Sequence, residues 1–488
     1  MPNFLRFCLL WMASTCLGQP QDRPNLVLIV ADDLGYGDLG CFGGSKAKTP
    51  HLDRLAAGGM RLTAFHVSQA VCSASRASLL TGALANRLSM QGALNHTSRE
   101  GLHPSEVTLA EWLKPLGYRS AVFGKWHLGT RPLFWPLNCG FDEFWGIPYS
   151  NDNSKHHPSL AAEMPPLPLI EQDKVIETDP DQSQFTTKIT AKAVSFIRRN
   201  QGRPFLLYLP HIMPHVPIFA SPRFKGRNPS GLYADVVEEL DWSVGMVVAA
   251  LEQTQQFANT LLIFLSDNGP FLSYGNHAGS AGALREGKLT SFEGGVRVPF
   301  IAHWPGRIPA ATQSAAMTCS MDLLPTLAQW LNHPLPPAPM DGKTIAPILE
   351  GKAAAQSPHE SLPIYAGSEL QAIRSGRFKL HLPHSYLTVD GPAGSDGKPA
   401  RHGQLKPAAI TQSGIEGIAT RHGYQVAEQA LALYDLEADP SETQDVSAQH
   451  PEQVSRLQAL AQQWREKLGD SLTQTKGSEV RPNGKDIP

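Results

Sequence analysis

Four apolar runs in this 488-residue chain each end in side chains able to do chemistry. Asn25 to Ala31 ends in Asp32-Asp33, Ala121 to Phe123 in Gly124-Lys125-Trp126-His127, Phe205 to Leu209 in a segment holding His211 and His215, and Leu261 to Leu265 in Ser266-Asp267-Asn268-Gly269. Asp32, Asp33, Asp267 and Asn268 offer hard oxygen ligands from two of these ends. Three carboxylates held together repel one another unless a cation compensates, and oxygen-only ligation favours Ca²⁺ or Mg²⁺ over zinc. Lys125, His127 and His215, joined by Lys288, form a cationic wall suited to a tetrahedral anionic ester, because positive groups stabilise charge that grows during transfer. Each feature has a plain alternative: an Asp pair capping a turn, an Asn-Gly turn, a hydrogen-bonded histidine, a solvated lysine.

Such ends meet only if their strands lie side by side. Continuous apolar runs of strand length, with Val298 to Ala302 as a further one, are what a sheet buried on both faces requires. Between them, Val237, Leu240, Val244, Val248 and Leu251, and likewise Phe185, Ile189, Val194 and Ile197, recur at helical spacing. Alternation of this kind predicts an α/β fold with a mostly parallel sheet between helices, and ligands in such sheets sit beyond the carboxyl ends of the strands. From about Ile364 the pattern changes. Ala372 to His381 reads as one strand of a small antiparallel sheet, residues 383–426 as a long loop or insertion, and Pro451 to Leu468 as a closing helix. Residues beyond Ser471 read as a polar, frayed tail.

The net charge of −2 argues against a nucleic-acid binder, which needs a basic face. Residues 1–18 combine one positive charge, a short apolar stretch and small residues, as a secretory signal peptide does; export to the periplasm or outside the cell is the expectation. No run is long enough to span a bilayer, which takes about 20 apolar residues. Cys8 and Cys16 would leave with the signal. Cys41, Cys72, Cys139 and Cys319 remain, with no CxxC metal pairs and at most one disulfide once Cys72 is committed elsewhere.

Cys72 opens the run Cys72-Ser73-Ala74-Ser75-Arg76-Ala77-Ser78-Leu79-Leu80-Thr81-Gly82. Taken alone, a single cysteine is a small buried apolar residue. This run, however, resembles the signature of the sulfatase family, with Ala74 where most members carry Pro. The resemblance extends from Pro24 to about Leu468. It includes Val30 to Asp38 (VADDLGYGD), Gly124 to Gly129 (GKWHLG), Gly140-Phe141-Asp142, Gly146 to Ser150 (GIPYS), Pro214 to Pro217 (PHVP), Ser266 to Gly269 (SDNG), Gly287-Lys288 and Phe292 to Arg297 (FEGGVR), all in the family's order. The chain is most similar to the arylsulfatase A and galactosamine-6-sulfatase type. The implied fold is alkaline-phosphatase-like: an N-terminal catalytic domain over 19–363, a C-terminal subdomain over 364–470 carrying the 383–426 insertion, a short antiparallel sheet and a helix, and a tail over 471–488.

The resemblance also implies roles. Cys72 is oxidised to formylglycine (3-oxoalanine) by a transient maturase, and the hydrate of that aldehyde attacks the sulfur of a sulfated small molecule or glycan. Asp32, Asp33, Asp267, Asn268 and modified Cys72 ligate Ca²⁺, with Mg²⁺ as the other candidate. Arg76, one turn into a helix starting near Ser75, pairs with the hydrate and with Asp32 or Asp33, and Lys125 holds the hydrate too. Asp267 takes a proton from the attacking hydroxyl. Lys288 and His215 bind sulfate and one of them protonates the departing alcohol; His127 removes the second proton so that sulfate is expelled. Ser150 is a substrate contact, and His211 has no assigned role. Ala74 leaves the motif freer than Pro, which points to a radical maturase as the alternative to the oxygen-dependent one.

Two other readings remain open: a phosphodiesterase or phosphonate monoester hydrolase built on the same aldehyde, and a non-catalytic glycan-binding protein whose Cys72 stays a thiol. The alcohol is to be read by loops beyond the strand ends, at 151–169, 219–232 and 383–426, with Trp135, Trp145 and His156-His157 as candidates to stack on a sugar.

Overall fold

The computed structural model describes residues 23–487; the expected signal peptide, with Cys8 and Cys16, lies outside them. A ten-stranded sheet runs in the order 312–314, 60–62, 300–303, 260–266, 25–31, 205–210, 119–125, 143–147, 168–171, 174–178. Four neighbouring strands at its centre, Thr260–Ser266, Asn25–Ala31, Phe205–Pro210 and Arg119–Lys125, are mutually parallel. They are the strands whose ends carry the reactive side chains. Ala31 is level with Ser266 and Val30 with Pro210, so Asp32 and Asp267 leave the sheet side by side.

The period of two along a strand divides its side chains between two cores. Leu26, Leu28 and Val30 pack with the helices Cys72–Thr81, Leu109–Leu113 and Leu323–Leu331. Val27, Ile29 and Ala31 pack with Phe185–Arg199 and Leu232–Gln253 on the opposite face. All seven residues of Asn25–Ala31 are buried, as a strand covered on both sides must be. Among the described residues no helix is long and apolar enough to cross a membrane.

A second, antiparallel sheet of four strands (362–366, 369–375, 378–381, 432–435) carries the helix Pro451–Leu468, whose Leu457, Leu460 and Ala461 pack on Leu370, Ile373 and Leu433. A buried ion network joins it to the large sheet's side. Lys379 Nζ lies 3.1 Å from Glu293 and 2.9 Å from Glu442, Arg374 Nη1 lies 3.1 Å from Glu293, and His381 Nε2 lies 2.8 Å from Glu442.

Several expectations are corrected. Ala372 to His381 is not one strand but a hairpin, because Gly376, at φ +57°, turns the chain between Ser375 and Phe378. The strand expected over Val298 to Ala302 is Phe300–His303 and pairs antiparallel with Thr260–Ser266; Val298 N instead bonds the Phe65 carbonyl. Residues 383–426 are no simple loop, since His384–Thr388 pairs with Gln425–Gln429 and Ile415–His422 is helical. The segment after Ser471 is packed rather than frayed: Arg481 makes a two-pronged contact with Glu106. No disulfide joins the four described cysteines.

Candidate active site

Cys72 is the first residue of the helix Cys72–Thr81, three residues earlier than the start near Ser75 read from sequence. All ten residues of this helix are buried, and Gly82 at φ +75° ends it. That placement puts Cys72 Sγ 3.3 Å from Asp32 Oδ1 and 4.0 Å from Asp33 Oδ1. Burial, followed by the Asp32 charge, pushes the thiol well above its ordinary range, and Lys125 and Lys288 only partly oppose this. A thiol held protonated is a poor nucleophile, so an unmodified Cys72 has little chemistry here.

Arg76, one turn on, has no exposed surface. Its Nε and Nη2 donate to Asp267 Oδ2 at 2.9 and 2.8 Å, Nη1 donates to the Lys125 carbonyl at 2.7 Å, and Nη2 lies 3.6 Å from Asp32. Lys125 Nζ reaches Asp32 Oδ2 at 2.6 Å and Ser150 Oγ at 3.3 Å. Lys288 Nζ sits 2.8 Å from Asp33 and 4.7 Å from the centre of the Phe271 ring. Burial alone would lower both lysines; Asp32 for Lys125 and Asp33 for Lys288 raise them instead, and both stay charged. Asp32 is held below its ordinary value, since Lys125, His215 and Arg76 outweigh burial. Asp267 is raised by burial and by Asp32, with Arg76 opposing.

The ligand atoms of Asp32, Asp33, Cys72 and His215 lie within 4.8 Å of one another, a buried cluster able to hold a metal ion. Asp267 Oδ1 accepts the Asp33 N–H at 3.2 Å, and Asn268 Nδ2 donates to Asp33 Oδ1 at 2.7 Å. Asn268 Oδ1 is buried with no hydrogen-bond partner. An orphaned amide oxygen beside three carboxylates is a donor set that a hard divalent cation fits.

The two histidines present opposite ring atoms. His127, at φ +62°, donates from Nε2 to the Leu94 carbonyl at 2.6 Å, which leaves Nδ1 buried and unpartnered. Burial, followed by Lys125, holds its imidazole well below 6.5. His215 donates from Nδ1 to its neighbour's Val216 carbonyl at 2.5 Å and turns Nε2 toward Ser150 (3.3 Å) and Asp33 (3.6 Å). His211 faces away, with Nε2 3.4 Å from Ser243 on the Leu232–Gln253 helix.

Cys72, His127, Ser150, His215 and Lys288 open on one cavity of about 780 Å³. Residues of the expected loops 151–169 and 383–426 line it, while the Leu94 carbonyl and Lys485 were not foreseen from the sequence. The Leu94 carbonyl belongs to the backbone and leaves no trace in residue type. Asp152, two residues after Ser150, is a buried carboxylate held well below the usual range by His215 and His157 against burial. Arg421 and His422 reach the cavity from the 383–426 insertion, and Lys485 from the tail. Of the loops expected to read the alcohol, 219–232 does not line it. Trp135 and Trp145 are buried in the two cores and do not line it either.

Known proteins resemble the chain along most of its length. Residues 24–333 match the family model described as Sulfatase, and residues 357–484 match the C-terminal region of aryl-sulfatase. The chain is 38% identical over 464 residues to arylsulfatase A of Homo sapiens, covering 90% of this chain and 87% of that protein. It is 38% identical over 386 residues to N-acetylgalactosamine-6-sulfatase of Canis lupus familiaris, covering 75% and 72%. A solved sulfatase structure from a study of glycosaminoglycan metabolism by Bacteroides thetaiotaomicron superimposes with a TM-score of 0.74 at 27% identity, covering 91% of this chain and all of that one.

Proposed function

Because the chain belongs to the sulfatase family, with an alkaline-phosphatase-like fold, and is a sulfuric ester hydrolase, we propose that its reacting group is Cys72 converted to formylglycine. We take the site to be completed by a divalent ion, Ca²⁺ in our reading, held by Asp32, Asp33, Asp267, Asn268 and residue 72. The observation that carries this is Cys72 Sγ 3.3 Å from Asp32, on a helix start facing the cavity, with its thiol pushed up out of nucleophilic range. When present, the aldehyde hydrate supplies a hydroxyl nucleophile and a second hydroxyl for release, and the ion supplies Lewis acidity toward a sulfate oxygen.

The chain's own residues do the rest. Lys125 and Arg76 balance the charges of Asp32 and Asp267 around residue 72. Asp267 accepts the attacking hydroxyl's proton. Lys288, kept charged by Asp33, binds sulfate oxygens, and Ser150, between Lys125 and His215, is a further contact. His215 Nδ1–H is fixed on Val216, which turns Nε2 toward the sulfate site, and the proton for the departing alcohol comes from the charged Lys288 or from His215 as its imidazolium. His127, with Nε2–H fixed on Leu94, offers Nδ1 as the base that removes the second hydroxyl's proton and lets sulfate go.

The substrate we propose is a sulfated carbohydrate, because beyond the sulfate residues the walls offer paired donors and acceptors such as Asp152, Asn153, Gln371 and Arg421. In the same reading a maturase converts Cys72, residues 1–18 export the chain, 19–363 form the catalytic domain and 364–470 its companion. Turnover of 4-nitrophenyl sulfate and 4-nitrophenyl phosphate, with and without chelator, tests the mechanism. Sulfate hydrolysis that exceeds phosphate hydrolysis and is lost on chelation is expected. Preference for phosphate, or full activity after exhaustive chelation, would overturn it.

A further inference from the structure

The segment 479–485 crosses both stems of the loop 90–100, most of whose residues line the cavity. On one stem, Arg481 N donates to the Arg87 carbonyl at 2.7 Å, Ser89 Oγ donates to the Arg481 carbonyl at 2.7 Å, and Asn483 Nδ2 donates to the Ser89 carbonyl at 2.9 Å. Glu479 pairs with Arg87 on the same side at 2.8 Å. On the other stem, Gly484 N donates to the Gly101 carbonyl at 2.8 Å, and the Arg481 guanidinium grips both Glu106 oxygens at 2.6 and 2.8 Å. Charge-assisted, two-pronged contacts of this kind are the strong ones.

What the loop holds is the base. Leu94 accepts the Nε2–H of His127 through its carbonyl, and its N–H is taken by Ser73 Oγ at 3.1 Å, next to Cys72. Gly101 also forms an antiparallel bridge with Gly129, two residues after His127, and Leu102 N donates to the Leu128 carbonyl at 2.9 Å. All three strands of this contact rest on one fully buried ring. A Cβ added at Gly101, Gly129 or Gly484 would fall 2.4, 2.2 or 2.3 Å from Phe134 side-chain atoms. Only glycine allows the tail, the loop stem and the His127 segment to close on that side chain together.

We propose that residues 479–485 are a strap that fixes loop 90–100 and thereby the orientation and tautomer of His127, with Arg481 and Gly484 as positioning residues; the inference rests on the reading of His127 as the base that releases sulfate. Loosening the strap slows that last step, so kcat falls while kcat/KM, which reports the earlier sulfur transfer, falls less.

The test uses the full matured protein, its Arg481→Gln, Arg481→Lys and Gly484→Ala variants, hydrogen exchange, and turnover of 4-nitrophenyl sulfate. In the unaltered protein, amides of 481, 484 and 102 exchange slowly. In Arg481→Gln, exchange over 90–102 quickens and kcat drops about tenfold or more, the scale of loss a misplaced catalytic group brings. Arg481→Lys, which keeps a charge for Glu106, recovers part of both, and Gly484→Ala repeats the pattern. Rapid exchange of 479–485 in the unaltered protein overturns the strap. So does unchanged exchange over 90–102 in folded variants, or quickened exchange with unchanged kcat. Absence of any sulfate-ester turnover in the unaltered protein would count against the proposed mechanism instead, and the exchange measurements would still decide the strap.

Discussion

Replacing Arg76 with Met tests how the site's charges are balanced. The guanidinium is fully buried, makes three hydrogen bonds of 2.7–2.9 Å to Asp267 and the Lys125 carbonyl, and stands 3.6 Å from Asp32. Methionine keeps much of the volume but leaves Asp32, Asp33 and Asp267 facing Lys125 and Lys288 alone. Breaking a buried pair from one side costs about 3–5 kcal/mol, chiefly because the remaining charge is left without compensation. An unfolding entropy of about 2.1 cal/mol/K per residue makes roughly 1 kcal/mol equivalent to 1 °C for a chain of this length, so Tm should fall by about 3–5 °C. Scanning calorimetry in chelator reads this directly. Arg76→Lys restores charge without the planar fork and should lose about half as much. Added Ca²⁺ should raise Tm in both the parent and the variants, since an ion that binds only the folded site stabilises it by mass action. A fall below about 1 °C in chelator would refute the charge accounting. No response to Ca²⁺ or Mg²⁺ would refute the metal site.

Other outcomes follow from the same geometry. Cys72→Ser, made in a host that does not oxidise serine, should show no multiple turnover of an aryl sulfate; turnover equal to the parent's would contradict the diol. His127→Ala should lower kcat by about 10²–10⁴, the usual worth of a general base. Because burial and Lys125 hold the His127 imidazole well below 6.5, the base is already neutral at pH 6.5. The acid limb of kcat that it controls should therefore lie below that pH; a limb above 6.5 counts against His127. Lys379→Met leaves buried Glu293 to Arg374 and buried Glu442 to His381 and should cost up to about 3–5 kcal/mol, read as a Tm loss without a shift in KM.

The strand ends were legible because a strand covered on both faces must be a continuous apolar run, and an Asp pair or Lys-x-His directly after one stands out. The hairpin at Gly376 was hidden by its brevity, since a two-residue turn barely interrupts an apolar-polar pattern. The insertion's strand His384–Thr388 was masked by Gly and Pro around it, and its partner lies beyond a long connection. The strap was least legible of all: Arg481 finds Glu106 across 375 positions, and a polar segment whose partners lie so far away looks solvated. Leu94 was invisible for a different reason, because a carbonyl oxygen belongs to every residue. In the buried cluster of Asp32, Asp33, Cys72 and His215, the two carboxylates stood out in the sequence, whereas His215 joins them only through the turn after Pro210.

The central claim is the oxidation state of residue 72, and mass spectrometry of the tryptic peptide Leu62–Arg76 from protein made in its native host measures it. A peptide about 18 Da lighter than the thiol form is expected, as replacing CH₂SH by CHO requires, with a hydrazide label at position 72. A peptide of thiol mass that takes up an alkylating reagent at Cys72, from protein that hydrolyses sulfate esters, would contradict it.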